Sequence, residues 1–119
     1  MFIGILEFQK ENYEKAYEYY SKSIDIDSKM TDAYFNRAQI VFATKTDDRR
    51  KLEAALNDLQ EAVKLDNKFI DAYYSMAVIY KNLGEYKPAI EMLDKILEID
   101  EQSVNARALK KLLIKKYLN

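Results

Sequence analysis

The chain has 119 residues, with 19 Lys and Arg against 20 Asp and Glu; this suits one domain and leaves a formal net charge of −1, too small to hold a nucleic acid or an anionic membrane over its whole surface. An apolar fraction of 49% with 13% aromatic excludes a disordered chain, and two glycines with one proline are too few for the turns of a sheet-rich fold. With no cysteine and no histidine, the chain has no disulfide framework, no thiolate metal site and neither a Ser–His nor a Cys–His nucleophile.

The chain therefore reads as all-α. Its start, Met1-Phe2-Ile3-Gly4-Ile5-Leu6-Glu7, has no basic segment and its apolar run stops at Glu7, so it is not read as a secretory signal. No apolar run approaches the roughly 18 residues of a membrane span, and a cytoplasmic protein is expected. A short helix near 2–10 is predicted to pair with one near 13–26. A second pair is predicted at 31–44 and 48–65, with Thr46 or Asp47 as the cap of the latter. In the third pair, Tyr73, Met76, Ala77 and Tyr80 recur at helical spacing. Asn82-Leu83-Gly84-Glu85 interrupts them, with Gly84 suited to a left-handed cap. Tyr86, Ala89, Ile90, Leu93, Ile96 and Leu97 form the next stripe, and Pro88 stands in its first turn, where a missing N–H costs little. Val104–Leu118 is predicted as a last helix with Leu109, Leu112 and Leu113 inward and a basic outer face of Arg107, Lys110, Lys111, Lys115 and Lys116.

One register runs through these elements. Ala16, Ala55 and Ala89 are spaced 39 and 34, as are Ser23, Ala62 and Ile96, and Asp27, Asp66 and Asp100. Gly4, Ala38, Ala77 and Lys111 are spaced 34, 39 and 34. The five extra residues of the middle unit fall within 43–49, where an exposed loop or an added helical turn is expected. The units are 1–30, 31–69 and 70–103, followed by 104–119. One helix pair cannot bury both of its apolar faces, whereas stacked pairs share a core.

The third unit, from Ala72 to Ile90, resembles a tetratricopeptide repeat. The period of 34, the small Ala77, Gly84 followed by Tyr86, and Ala89 all fit. Gly4, Tyr13 and Ala16 carry the likeness in the first unit, and Ala38 and Ala55 in the second, where Leu52 replaces the tyrosine. The proline that usually ends each repeat is absent, with Ser28, Asn67 and Glu101 in its place, and Glu7 and Arg37 stand at positions usually apolar, which predicts looser packing there. The resemblance implies a single α–α superhelical domain of the solenoid type, with three antiparallel pairs plus a capping helix, seven helices in all. Gly4, Ala16, Ala38, Ala55, Ala77 and Ala89 would let helix axes approach.

No catalytic, cofactor-binding or metal-binding residues are expected, and the chain is not read as an enzyme. A second stripe, outside the core stripe, runs along the first helix of each unit. It reads Met1, Ile5 and Phe8, then Phe35, Gln39 and Phe42, then Tyr74, Val78 and Lys81, each at 4-then-3 spacing. The resemblance implies that this stripe lines a concave, largely apolar groove for a peptide or helix of a partner protein, with Asn36 as a polar handle. Family members that grip the acidic tails of chaperones use Lys and Asn, then Asn, then Lys and Arg at set positions. Here Met1, Ile5, Asn36, Asp71 and Ser75 occupy them, so that partner is not expected. The leading reading is thus an adaptor or scaffold. The alternatives are a chaperone or regulator of a secreted or membrane partner, a self-associating unit or piece of a longer array, and contact with RNA or an anionic surface through the basic last helix. Nucleic acid is disfavoured because aromatic interleaving is missing. The short, apolar amino end is expected to be covered by further sequence or by a second copy in a homodimer.

Overall fold

The computed structural model describes the backbone of residues 2–118 and the side chains of residues 12–117. Among these residues there are six α-helices, a terminal π-helical turn and no strand. The helices are α1 (Phe2–Ile26), α2 (Thr31–Ala43), α3 (Arg49–Leu65), α4 (Ile70–Asn82), α5 (Tyr86–Ile99) and α6 (Val104–Leu113), and the π turn is Ile114–Leu118. They form two compact units, Met1–Leu65 and Asp66–Asn119.

In the first unit α2 packs against both α1 and α3. On α3, Leu52, Ala55, Leu56, Leu59 and Ala62 follow helical spacing and are all buried. They meet Ala33, Tyr34 and Ala38 of α2, which are also buried. Neither Thr46 nor Asp47 caps α3. Asp48 does, accepting from the Arg50 N–H at 2.9 Å, while the Thr46 hydroxyl accepts from the Asp48 N–H at 3.2 Å. Ahead of Leu52, α3 thus begins with an exposed added turn, Arg49 to Lys51.

The second unit pairs α4 with α5 and lays α6 on α5. Ile79, Leu93, Ile96 and Leu113 are fully buried, each worth about 1.5–3 kcal/mol of burial. The Ser103 hydroxyl caps α6 by accepting from the Ala106 N–H at 3.3 Å. Leu109 and Leu113 point inward, but Leu112 is 51% exposed, because Ala106, Leu109 and Leu113 already define the buried face.

The joints between repeats share one construction. Asp27, Asp66 and Asp100 each accept, through a side-chain oxygen, from the backbone N–H two residues on, at 3.0, 3.1 and 3.0 Å. The carbonyls of the same residues accept from Met30, Phe69 and Ser103. These aspartate turns hold the chain reversal where proline is absent. The Tyr34 and Tyr73 hydroxyls, 39 apart in sequence, donate to the Ser28 and Asn67 carbonyls, both at 3.0 Å.

The amino-terminal helices also differ from expectation. The first unit does not contain two helices near 2–10 and 13–26, because α1 is continuous from Phe2 to Ile26, and the seven-helix count becomes six α-helices and a π turn. The cause is local. Gly84 takes φ 79° where α4 ends, and Lys45, its equivalent 39 residues earlier, takes φ 53° where α2 ends. The register places Glu11 at that position in the first unit, and no glycine or proline lies between Lys10 and Tyr13. Continuing the helix there retains its backbone hydrogen bonds and avoids a left-handed glutamate.

Candidate interaction site

On α2, Phe35, Gln39 and Phe42 are half-buried and Asn36 is exposed. On α4, Tyr74, Val78 and Lys81 are all half-buried. Their spacing keeps each triplet on one helical face, apart from the fully buried Ala38 of α2 and Ala77 of α4. Ile5 and Phe8 lie outside the residues whose side chains are described, as does Gly4. Of the small residues, Ala38, Ala55, Ala77 and Ala89 are buried and Ala16 is half-buried.

The opposite face of α2 carries a feature that reading the sequence missed. A cleft of about 800 Å³ opens between α1 and α3 over α2, bounded by Tyr13, Tyr17, Val41, Thr46 and Lys51. At its base Arg37 meets Asp58 in a two-point pair, Nε to Oδ2 at 2.8 Å and Nη2 to Oδ1 at 2.6 Å, and Nη1 donates to the Ser21 hydroxyl at 3.1 Å. The Arg37 guanidinium also lies over the Tyr17 ring, 5.5 Å from its centroid. The two side chains are only 20% and 11% exposed. Donating to Asp58 holds the Arg37 guanidinium above its ordinary pKa, against the opposing pull of partial burial.

The clue was present in the sequence. Asp58 interrupts the apolar stripe of α3 just as Arg37 interrupts that of α2, and their register equivalents in the next repeat are Met76 and Met92. Two opposite charges at facing apolar positions compensate each other. Among the described residues, no group of three or more Asp and Glu could hold a metal, and no helix is long and apolar enough to cross a membrane.

The chain is similar to known proteins along most of its length. It is 33% identical over 104 residues to human DnaJ homolog subfamily C member 7, covering 87% of this chain but spanning only 20% of that protein. Among solved structures, MamA superposes with a TM-score of 0.78 at 27% identity, over 87% of this chain and 57% of that one. The first tetratricopeptide domain of Spaghetti (RPAP3), solved bound to the HSP90 peptide SRMEEVD, superposes with a TM-score of 0.79 over 98% of this chain and 88% of that one. Its 22% identity speaks for the fold alone. Sequence profiles of the tetratricopeptide repeat match residues 48–113 and 1–30. With more than half of its length matched by one such profile, and with the joints of its helices repeating in phase, the chain belongs to the tetratricopeptide repeat family.

Proposed function

We propose that the chain is a non-enzymatic protein-interaction module, an adaptor or scaffold, that docks a peptide or helical segment of another protein on the stripe that α2 carries in the first unit and α4 in the second, each by itself. The observation that carries this reading is the equivalence of the stripes. Phe35 and Tyr74 occupy the same register position, half-buried, on helices whose buried faces are already occupied by Ala38 and Ala77. Phe42 extends the stripe on α2, and exposed Asn36 offers hydrogen bonds to a partner's backbone. Membership of a family built for protein contact supports the same reading.

The partner's acidic terminus is not what this surface would grip. Asp32 and Asp71 are exposed in the first turns of α2 and α4, where they repel a carboxylate. The segment would therefore enter through apolar side chains and its backbone, and the peptide SRMEEVD is expected to bind poorly.

The test uses a peptide selected on the intact chain from a random display library. Phe35→Ala and Tyr74→Ala are each expected to weaken its binding by roughly thirtyfold or more, with a nearly unchanged melting temperature. Ala77→Leu is the control for lost packing and should impair folding. If both aromatic variants unfold as Ala77→Leu does, the stripes are core and the reading fails.

A further inference from the structure

The second unit contains another cleft, of about 490 Å³, where α6 lies on α5. Leu97 and Ile114 supply its apolar part, and Arg107, Lys110, Lys111 and Lys115 surround them. Ile114 is 37% exposed despite its size. Lys110 is bridged to Asp94 at 2.7 Å. Arg107, Lys111 and Lys115 form no ion pair among the described residues.

The repeat register explains what this place is. Lys110 stands at the position of Arg37, and Asp94 at the position of Ser21. The Lys110–Asp94 bridge thus repeats the Arg37–Ser21 hydrogen bond, one helix holding the preceding one. Arg37 has a second partner, Asp58, on the helix that follows it. Beside α6, no helix among the described residues of this unit takes the place that α3 takes beside α2. The cleft is that place, and its lining has changed in a particular way. Lys111 replaces the small Ala38 and Ala77, and Ile114 replaces Val41. Close packing of a small-residue helix has been exchanged for a cationic rim around an apolar floor.

We propose that this cleft docks an acidic amphipathic helix of another protein, independently of the stripes on α2 and α4. Carboxylates on the incoming helix would meet Lys111 and Lys115, four residues apart, and an apolar side chain between them would cover Leu97 and Ile114. Charge complementarity selects the acidic partner, and the apolar floor selects an amphipathic one. A phosphate backbone has no use for that floor. The nearby ring that could stack on a base, Tyr117, already lies against Tyr86.

The experiment titrates the full chain into a fluorescein-labelled synthetic helical peptide carrying one leucine between two glutamates a turn apart, read by anisotropy. The paired substitution Lys111→Glu and Lys115→Glu is expected to weaken binding by about tenfold or more with an unchanged melting temperature, because both side chains are exposed. Phe35→Ala should bind this peptide as the parent does, which separates the two surfaces. Replacing the leucine of the peptide by serine should also weaken binding. Equal binding to the charge-reversed chain or to the serine peptide overturns the proposal. So does tighter binding of phosphatidylserine vesicles or oligouridine at the same salt concentration. Light scattering that shows two copies joined through this face would overturn it as well.

Discussion

Arg37 and Asp58 hold the same positions in one repeat that Met76 and Met92 hold in the next, so the molecule contains its own comparison of an ionic and an apolar contact. Desolvating two charges costs several kcal/mol, and the two-point geometry with the added Ser21 hydrogen bond offsets that cost. Asp58→Met alone leaves a largely buried guanidinium without its carboxylate. The expected loss is about 2–3 kcal/mol, below the range for wholly buried pairs because Arg37 retains some exposure. The double variant Arg37→Met with Asp58→Met, which copies the next repeat, should return to within about 1 kcal/mol of the parent or exceed it. Urea midpoints of the three variants check the cycle. A double variant as unstable as the single one would mean that the charges hold the geometry of the cleft, beyond compensating each other. Sequence reading marks Arg37 as an intruder because its partner stands 21 residues away, and the pair becomes visible only when both are placed on facing helices.

At the scale of elements, helix ends decide what can be read. Where a residue type has one conformational use, the end is legible. Gly84 closes α4 with its N–H on Lys81 and the Glu85 N–H on Tyr80, a left-handed cap that the sequence predicts. The same geometry at α2, with Lys45 bonded to Phe42 and Thr46 to Val41, is not announced by any glycine. Lysine pays for the left-handed conformation, so Lys45→Gly should raise stability by about 1 kcal/mol. Gly84→Ala should lower it by a similar amount through backbone strain alone, since an added Cβ at Gly84 meets nothing within 4 Å. Thermal and urea unfolding of both variants test this, and a destabilised Lys45→Gly would show that the lysine side chain, and not its backbone, matters at that turn. The error at α1 has the same root. Small anchors at Gly4 and Ala16 imply a pair of helices, but a pair also needs a residue willing to turn between them, and Glu11 is not one. The aspartate turns sit between these cases: the spacing of Asp27, Asp66 and Asp100 is plain in the sequence, while their role in place of proline needed the hydrogen bonds.

At the scale of the whole molecule, the principal pairings within each unit join helices adjacent in sequence, α1 with α2 and α2 with α3 in the first, α4 with α5 and α5 with α6 in the second. This is why the repeat register was legible from end to end: packing of neighbours imposes the same apolar spacing on each repeat. The stripes and the Arg37 cleft were less legible because a half-buried aromatic and a solvated one leave the same mark in a sequence. The carboxy end adds a property of a different kind. Tyr117, placed by the π turn, lies parallel to Tyr86 with centroids 3.9 Å apart and planes 7° from coplanar. The chain has ten tyrosines and no tryptophan, so no stronger chromophore masks them. Two rings stacked this closely in parallel couple their transitions, and the pair should be hypochromic, absorbing less in the near ultraviolet than two separated tyrosines. Tyr117→Leu should lower the near-ultraviolet absorbance by less than one free tyrosine contributes while leaving the helical signal nearly unchanged; a loss equal to one free tyrosine would mean that the rings are not coupled. Since Lys115 stands two residues from Tyr117, occupation of the basic cleft would perturb the same absorbance, giving the chain an optical reporter of its own carboxy-terminal turn that requires no label.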